Sequence, residues 1–122
     1  MSNNRIVIIG GVAAGPKAAA RARRRDPKAE IIMIDKGTAL SYAGCGMPYY
    51  ISGDIQDCDE LMCTPAGVMR NSTFFQNAKD VKALTRTLVE SIDREKKQVN
   101  VVRLDDNERS SIPYDKLVIA TG

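Results

Sequence analysis

The stretch Ile6-Val7-Ile8-Ile9-Gly10-Gly11-Val12-Ala13-Ala14-Gly15 decides the fold that this sequence predicts. Its first four residues are apolar and β-branched, which is typical of a strand buried on both faces. The segment 13–25 is rich in alanine and arginine, both strong helix formers. It ends at Asp26-Pro27, because the residue before a proline avoids the helical region. With the second apolar run, Ile31-Ile32-Met33-Ile34, these segments predict a βαβ unit with parallel strands.

The turn inside this unit has the spacing of a dinucleotide-binding fingerprint. Gly10 and Gly15 fill its first and last glycine positions, whereas Val12 stands where the second glycine is usual. Asp35 lies twenty residues beyond Gly15, where an acidic side chain can accept hydrogen bonds from an adenosine ribose. The first N–H groups of the helix would face the phosphates. The pattern predicts a dinucleotide site, and the alternative is a plain strand–helix turn followed by a surface aspartate.

A cysteine with unusual neighbours follows the second strand. Cys45 lies in Ser41-Tyr42-Ala43-Gly44-Cys45-Gly46-Met47-Pro48-Tyr49-Tyr50, between two glycines that leave the sulfur uncrowded. Pro48 suits the first turn of a helix, so we expect the thiol near a helix N-terminus, which favours the thiolate. The alternative is a small buried hydrophobic residue. Cys58 and Cys63 lie in a polar stretch without a defined partner, and we interpret both as incidental.

The middle of the chain predicts short helices. Residues 47–51 are expected to form one helix after Cys45. Thr64-Pro65 is typical of a helix start, with Thr64 as N-cap and the helix running through Met69. A further helical segment is expected around Phe74-Phe75.

The last third of the chain predicts strands. Segments 85–92 and 98–104 alternate apolar and polar residues, which indicates an antiparallel hairpin with one face open to solvent. Segment 105–111 is expected to be a polar turn. Residues 116–120 are interpreted as another buried strand of the parallel sheet.

The composition of the chain argues against several classes of function. The chain has 122 residues, enough for one small domain, and its net charge of +3 with 5% aromatic residues argues against nucleic-acid binding. No apolar run is long enough to cross a membrane. The three cysteines lack metal-type spacing and histidine is absent, so we expect no metal site and a reducing, cytoplasmic location.

Several motifs together resemble one enzyme family. The glycine turn, with Ile34-Asp35-Lys36-Gly37, resembles the opening of FAD-dependent pyridine nucleotide-disulfide oxidoreductases. The stretch around Cys45 resembles their single-cysteine branch of coenzyme A-disulfide reductases, persulfide reductases and NADH oxidases. The closing Tyr114-Asp115-Lys116-Leu117-Val118-Ile119-Ala120-Thr121-Gly122 is similar to a segment that ends the same portion of the family's chains.

This resemblance implies a set of site residues. Cys45 would be the catalytic residue, and because Tyr50 stands where two-cysteine relatives have their second cysteine, it would exchange with an external sulfur. By position, family contacts to coenzyme A fall partly on Arg21, Arg24 and Ser41. The FAD-binding residues implied are Gly10, Gly11, Val12, Ala13, Ala14, Gly15, Asp35 and Lys36.

The resemblance also implies an organisation. Residues 1–122 would be the first segment of an α/β, Rossmann-like FAD-binding domain, a parallel sheet with a small antiparallel layer, incomplete without further chain. The nicotinamide-binding and dimerisation domains would lie elsewhere, the full-length protein would be a homodimer, and NADH or NADPH would be the co-substrate. The acceptor would be a coenzyme A-type or other small disulfide or persulfide. The alternatives are an NADH oxidase cycling through a cysteine sulfenic acid, or a non-catalytic nucleotide-binding module.

Overall fold

The computed structural model describes residues 4–42, 45, 47–64 and 68–122, with only the backbone of Cys58. The elements in chain order are β1 (Arg5–Ile9), α1 (Ala14–Arg25), β2 (Glu30–Ile34), α2 (Met47–Ser52), a 3₁₀ turn (Cys58–Met62), α3 (Ser72–Lys79), β3 (Lys82–Leu84), β4 (Thr87–Asp93), β5 (Gln98–Arg103), β6 (Glu108–Pro113) and β7 (Lys116–Ile119). None of the helices in these ranges has the length and apolarity that crossing a bilayer requires.

A four-stranded parallel sheet organises the chain, in the order β3-β2-β1-β7. Successive side chains of a strand point to opposite faces, so β1 and β2 each contribute to two core layers. Ile8 and Met33 pack on the side of α1 and α3, with Ala19 and Phe75. Val7 and its same-face neighbours pack on the other side, against Val99 and Val101 of β5. The predicted βαβ unit and α/β class are confirmed.

A three-stranded antiparallel sheet, β4-β5-β6, forms the layer beyond the parallel sheet. The predicted hairpin is therefore confirmed but incomplete, and the polar turn predicted over 105–111 is wrong at residues 108–111, which belong to β6. The turn between β5 and β6 is shorter than predicted, and in it the carboxylate of Asp106 accepts the N–H of Glu108. This hydrogen bond and the nearby Arg103 guanidinium hold the pKa of Asp106 below its usual value. Along β6, Ser111 donates to the side-chain oxygen of Asn100, so polar residues suit this outer strand.

Met69, the end of the helix predicted before α3, is extended in the structure. Met69 forms an antiparallel bridge with Cys63, and the Val68 N–H donates to the hydroxyl oxygen of Thr64 at 3.2 Å. The predicted helix is wrong at Met69, and its start at Pro65 lies outside the described residues. The next helix is confirmed as α3, which is capped by the side chain of Asn71 accepting the N–H of Phe74.

The last strand joins the parallel sheet as predicted, but it is not buried. β7 pairs with β1 and lies at the edge of the sheet. Ile119 is 63% exposed, because no described strand lies on its other side. The expected burial of this strand is therefore wrong at Ile119, while its pairing is confirmed.

Candidate functional site

The candidate site lies where β1, β2 and β7 end. From β1 the chain goes first to β2 on one side, and the later β7 lies on the other side, so the strand order reverses at β1. Ligands of open parallel sheets bind at the carboxyl ends of the strands at such a reversal. The Gly10 N–H donates to the carbonyl of Ile34, and the Ala120 N–H donates to that of Ile9, both at 2.8 Å. These bonds bring the three strand ends together around the glycine turn.

Gly10 and Gly15 have the structural roles predicted for the first and last glycine of the fingerprint. Gly10 has a φ of 114°, and a Cβ there would lie 2.1 Å from the carbonyl oxygen of Ala120. A Cβ on Gly15 would lie 1.7 Å from the carbonyl oxygen of Gly10. Neither position has room for a side chain, so the turn stays tight and α1 packs directly on β1.

Gly11 is held by Asp35, the acidic residue at the end of β2. One carboxylate oxygen of Asp35 accepts the Gly11 N–H at 2.8 Å, and the other accepts the Gly37 N–H at 2.9 Å. A carboxylate has about four acceptor positions, so two remain for another donor. Asp35 is half-buried beside the turn, and Lys36 next to it is exposed. The structure thus brings Asp35 and the glycine turn together, as the spacing predicts.

The start of α1 offers unoccupied backbone donors. Ala13, the N-cap, has no side-chain acceptor, and the first turn of α1 contains no acidic residue. Ala13 and Ala14 are exposed, whereas Val12 is half-buried. The first N–H groups of a helix lack intrahelical partners and favour an anion such as a phosphate. This end of α1 faces solvent beside Asp35 and is suited to a phosphate group.

The segment leading to Cys45 begins on the glycine turn. The Ser41 N–H donates to the carbonyl of Gly11 at 2.6 Å, and Ser41 has a φ of 50°. Cys45 is a free, exposed cysteine four residues later, so the alternative of a buried hydrophobic residue is wrong. The helix expected after it is confirmed as α2. Cys63 is free and half-buried. Gly44 and Gly46 lie outside the described residues.

The arginines near the end of α1 have different environments. Arg23 is structural: its guanidinium donates to the carbonyls of Asp26, Pro27 and Asp80. Arg21 and Arg24 are exposed, and within the described ranges neither forms a hydrogen bond or ion pair with the glycine turn or with Ser41. In these ranges the structure therefore does not bring either arginine together with the turn.

Two open concave sites lie elsewhere in the described part of the chain. A cavity of about 300 Å³ is lined by residues that include Arg23 and Lys82, beside the amino ends of β2 and β3. A groove of about 450 Å³ lies along α3, next to Met69. The glycine turn lines neither of them. It is an open edge, and its suitability for a ligand rests on backbone donors and Asp35 rather than on enclosure. Among the described residues, no group of three or more metal-ligating side chains comes together.

Two residues that help to form this edge, Ala120 and Leu40, were not predicted from the sequence. Ala120 forms one wall of the turn through its carbonyl, and the signal for it was a run of small residues directly after an apolar strand. Leu40 packs over Gly11, where a Cβ on the glycine would lie 2.7 Å from a Leu40 methyl. The signal for Leu40 was a single large apolar residue in an otherwise polar segment.

Comparison with known proteins agrees with this arrangement. The pyridine nucleotide-disulphide oxidoreductase family model matches residues 4–122. The chain is 33% identical to a coenzyme A disulfide reductase of Staphylococcus haemolyticus over 119 residues, covering 97% of this chain and 26% of that protein. It is 32% identical to an NADH oxidase of Methanocaldococcus jannaschii over 118 residues, covering 97% of this chain and 25% of the relative.

A solved structure has the same fold. The NAD-dependent persulfide reductase from A. fulgidus superposes with a TM-score of 0.93 at 42% sequence identity, covering 97% of this chain and 21% of that one. The chain thus spans about a quarter of the length of the curated relatives it matches. With the family model matching nearly its whole length, the chain belongs to the pyridine nucleotide-disulphide oxidoreductase family.

Proposed function

We propose that this chain is the FAD-binding part of an NAD(P)H-dependent reductase of small disulfides or persulfides that uses Cys45 as its single redox cysteine. The observation that carries the proposal is the bond between Ser41 and Gly11, because it starts the Cys45 segment on the dinucleotide turn. Residues 1–122 would form the first segment of the FAD domain. The full-length protein would be a cytoplasmic homodimer with nicotinamide-binding and dimerisation domains elsewhere.

The residues of the turn fit a flavin dinucleotide. Gly10 and Gly15 keep the two ends of the turn free of side chains, because a Cβ at either position would collide with backbone atoms. The uncapped start of α1 would hold the pyrophosphate, and Asp35 with its two free acceptor positions would hold the adenosine ribose. The Val12 side chain is only half-buried, so it has room to move aside at the position where the fingerprint usually has a glycine. Lys36 is exposed next to Asp35, the residue proposed to hold the ribose.

The chemistry assigned to Cys45 is thiol–disulfide exchange. Its thiolate attacks one sulfur of a disulfide RSSR, forming a mixed disulfide Cys45–S–SR and releasing RS⁻. Cleavage of the mixed disulfide consumes two electrons and one proton, and returns the Cys45 thiolate and RSH. Bound FAD would supply these two electrons, taken from NADH or NADPH. Tyr50 stands at the position of a second cysteine, so this loop has no resolving thiol at that place.

The substrate class follows from the relatives and from exposed charge. A named relative is a coenzyme A disulfide reductase, and a solved neighbour is a persulfide reductase. Arg21 and Arg24 are exposed on α1, and Ser41 lies four residues before Cys45. Two guanidinium groups suit the phosphates of a coenzyme A-type acceptor. We therefore assign these three residues to substrate binding.

Steady-state kinetics of the full-length protein test this function. Oxidation of NADH and NADPH is measured with coenzyme A disulfide, coenzyme A persulfide or oxygen as the acceptor. We expect turnover with a sulfur acceptor to fall at least a hundredfold in Cys45→Ser and to persist in Cys63→Ser. Equal turnover of Cys45→Ser and wild type would contradict the role of Cys45.

The second candidate function is an NADH oxidase, which the relative from Methanocaldococcus jannaschii favours. In that case Cys45 would cycle between the thiolate and a sulfenic acid. Oxygen as sole acceptor would then sustain turnover that is lost in Cys45→Ser. A non-catalytic nucleotide-binding module would show no Cys45-dependent turnover with any of the three acceptors.

A further inference from the structure

Leu40 is the last buried residue before Cys45. Its side chain is 2% exposed, and the next buried residue along the described chain is Leu61, at 5%. The residues between these two whose burial is described are all exposed or half-buried, including those of α2, which has no buried residue. Among the residues whose burial is described, Leu40 and Leu61 are therefore the buried positions that flank Cys45 along the chain.

The attachment at Leu40 is also an attachment to the glycine turn. Leu40 belongs to the core cluster that contains Ile8 and Met33. One of its methyl groups fills the space above Gly11, 2.7 Å from where a Cβ would lie. The next residue, Ser41, donates its N–H to the Gly11 carbonyl at 2.6 Å while its backbone is left-handed at a φ of 50°. A serine rarely adopts this conformation without such support.

We infer that Leu40 is a positioning residue: it holds the Cys45 segment on the glycine turn, so that the sulfur keeps a fixed relation to the dinucleotide. The inference rests on the proposed function. Four residues of extended chain span at most about 14 Å, which limits how far Cys45 can lie from Ser41. Fixing Ser41 on Gly11 therefore confines Cys45 to the neighbourhood of the turn.

Removing the Leu40 side chain should make the position of the Cys45 sulfur more variable while FAD stays bound. The donors of α1, the bond of Asp35 to Gly37 and the tight packing of Gly10 on Ala120 involve no atom of Leu40. In contrast, the segment after Leu40 would lose the core contact that Leu40 provides on that side of Cys45. A misplacement of about 1 Å can cost a hundredfold in rate.

The test uses full-length protein in its FAD-bound and FAD-free forms. The alkylation rate of Cys45 is followed by mass spectrometry of the peptide that carries it, and the FAD content is measured separately. In wild type we expect FAD to slow alkylation at least tenfold, because the flavin covers the sulfur. In Leu40→Ala we expect FAD to be retained and the two rates to agree within threefold.

Matched variants separate positioning from stability. Val81→Ala opens the same core cluster away from the turn and should keep the wild-type ratio of rates. Leu40→Met should restore the ratio, and Leu40→Val, which removes one methylene, gives an intermediate ratio even if Leu40→Ala does not fold. The inference is contradicted if Leu40→Ala binds FAD and keeps the wild-type ratio of alkylation rates, or if Val81→Ala loses that ratio to the same extent. Either result would leave the proposed function standing. A wild-type protein that holds no FAD refutes the proposed function and this inference with it.

Discussion

One carboxylate oxygen of Asp35 accepts the N–H of Gly11 at 2.8 Å, and this bond joins the end of β2 to the turn between β1 and α1. The other oxygen accepts the Gly37 N–H at 2.9 Å. Asp35 therefore holds both the glycine turn and the loop after β2, and the proposed function uses its remaining acceptor positions for the dinucleotide. Its structural role is shown by these two bonds, and its ligand-binding role is the part that a substitution can test.

Asp35→Ala should weaken FAD binding to the full-length protein about 10- to 100-fold. Charged hydrogen bonds contribute roughly 1.5–3 kcal/mol each, and the substitution also frees the Gly11 N–H from its acceptor. Fluorescence titration of FAD into the apoprotein measures the change. Glu90→Ala, which removes an exposed carboxylate of β4 paired with Arg109 of β6, is the control and should leave the affinity unchanged. An unchanged affinity in Asp35→Ala would remove Asp35 from the site.

Gly15→Ala should destabilise the protein by about 3 kcal/mol or more, because a Cβ at 1.7 Å from the Gly10 carbonyl oxygen forces α1 away from β1. Thermal or urea unfolding of the full-length protein measures the loss. Gly37→Ala is the matched control, since its nearest neighbour would lie at an ordinary 3.5 Å, and we expect a change within about 1 kcal/mol. Similar stability of the two variants would refute the close packing of α1 on β1.

The chain organisation around β1 could be predicted because its causes are local. Four β-branched residues, two adjacent glycines and a run of helix formers specify strand, turn and helix within about twenty residues. Asp35 was predicted in the same way, from its spacing after Gly15. The predicted strand-to-strand pairing of β1 with β2 needed only the rule that a helical crossover joins parallel strands.

Other features depend on tertiary contacts that the sequence does not display. β6 begins with Glu108 and continues through two serines, so its strand state is due to its backbone bonds with β5 rather than to apolar alternation. Leu40 is one apolar residue among polar neighbours, and its burial follows from its position over Gly11. Met69 is extended because it pairs with Cys63.

Arg21→Ala and Arg24→Ala should each raise the KM for coenzyme A disulfide about threefold to tenfold. Both side chains are exposed on α1, and a solvent-exposed charge contact contributes about 1 kcal/mol. A small disulfide without phosphates should be reduced by both variants as well as by wild type. Arg25→Ala is the control, since Arg25 is equally exposed and was not assigned to the site. Identical KM values for coenzyme A disulfide in all four proteins would contradict the assignment.

The most direct test of the account is to trap the sulfur adduct. Full-length protein is reacted with coenzyme A disulfide, quenched in acid, and its cysteine-containing peptides are weighed by mass spectrometry. We predict a mixed disulfide on the peptide of Cys45 that disappears when NADH or NADPH is added and never forms in Cys45→Ser. Turnover without an adduct on Cys45, or with the adduct on Cys58 or Cys63 instead, would contradict the central claim.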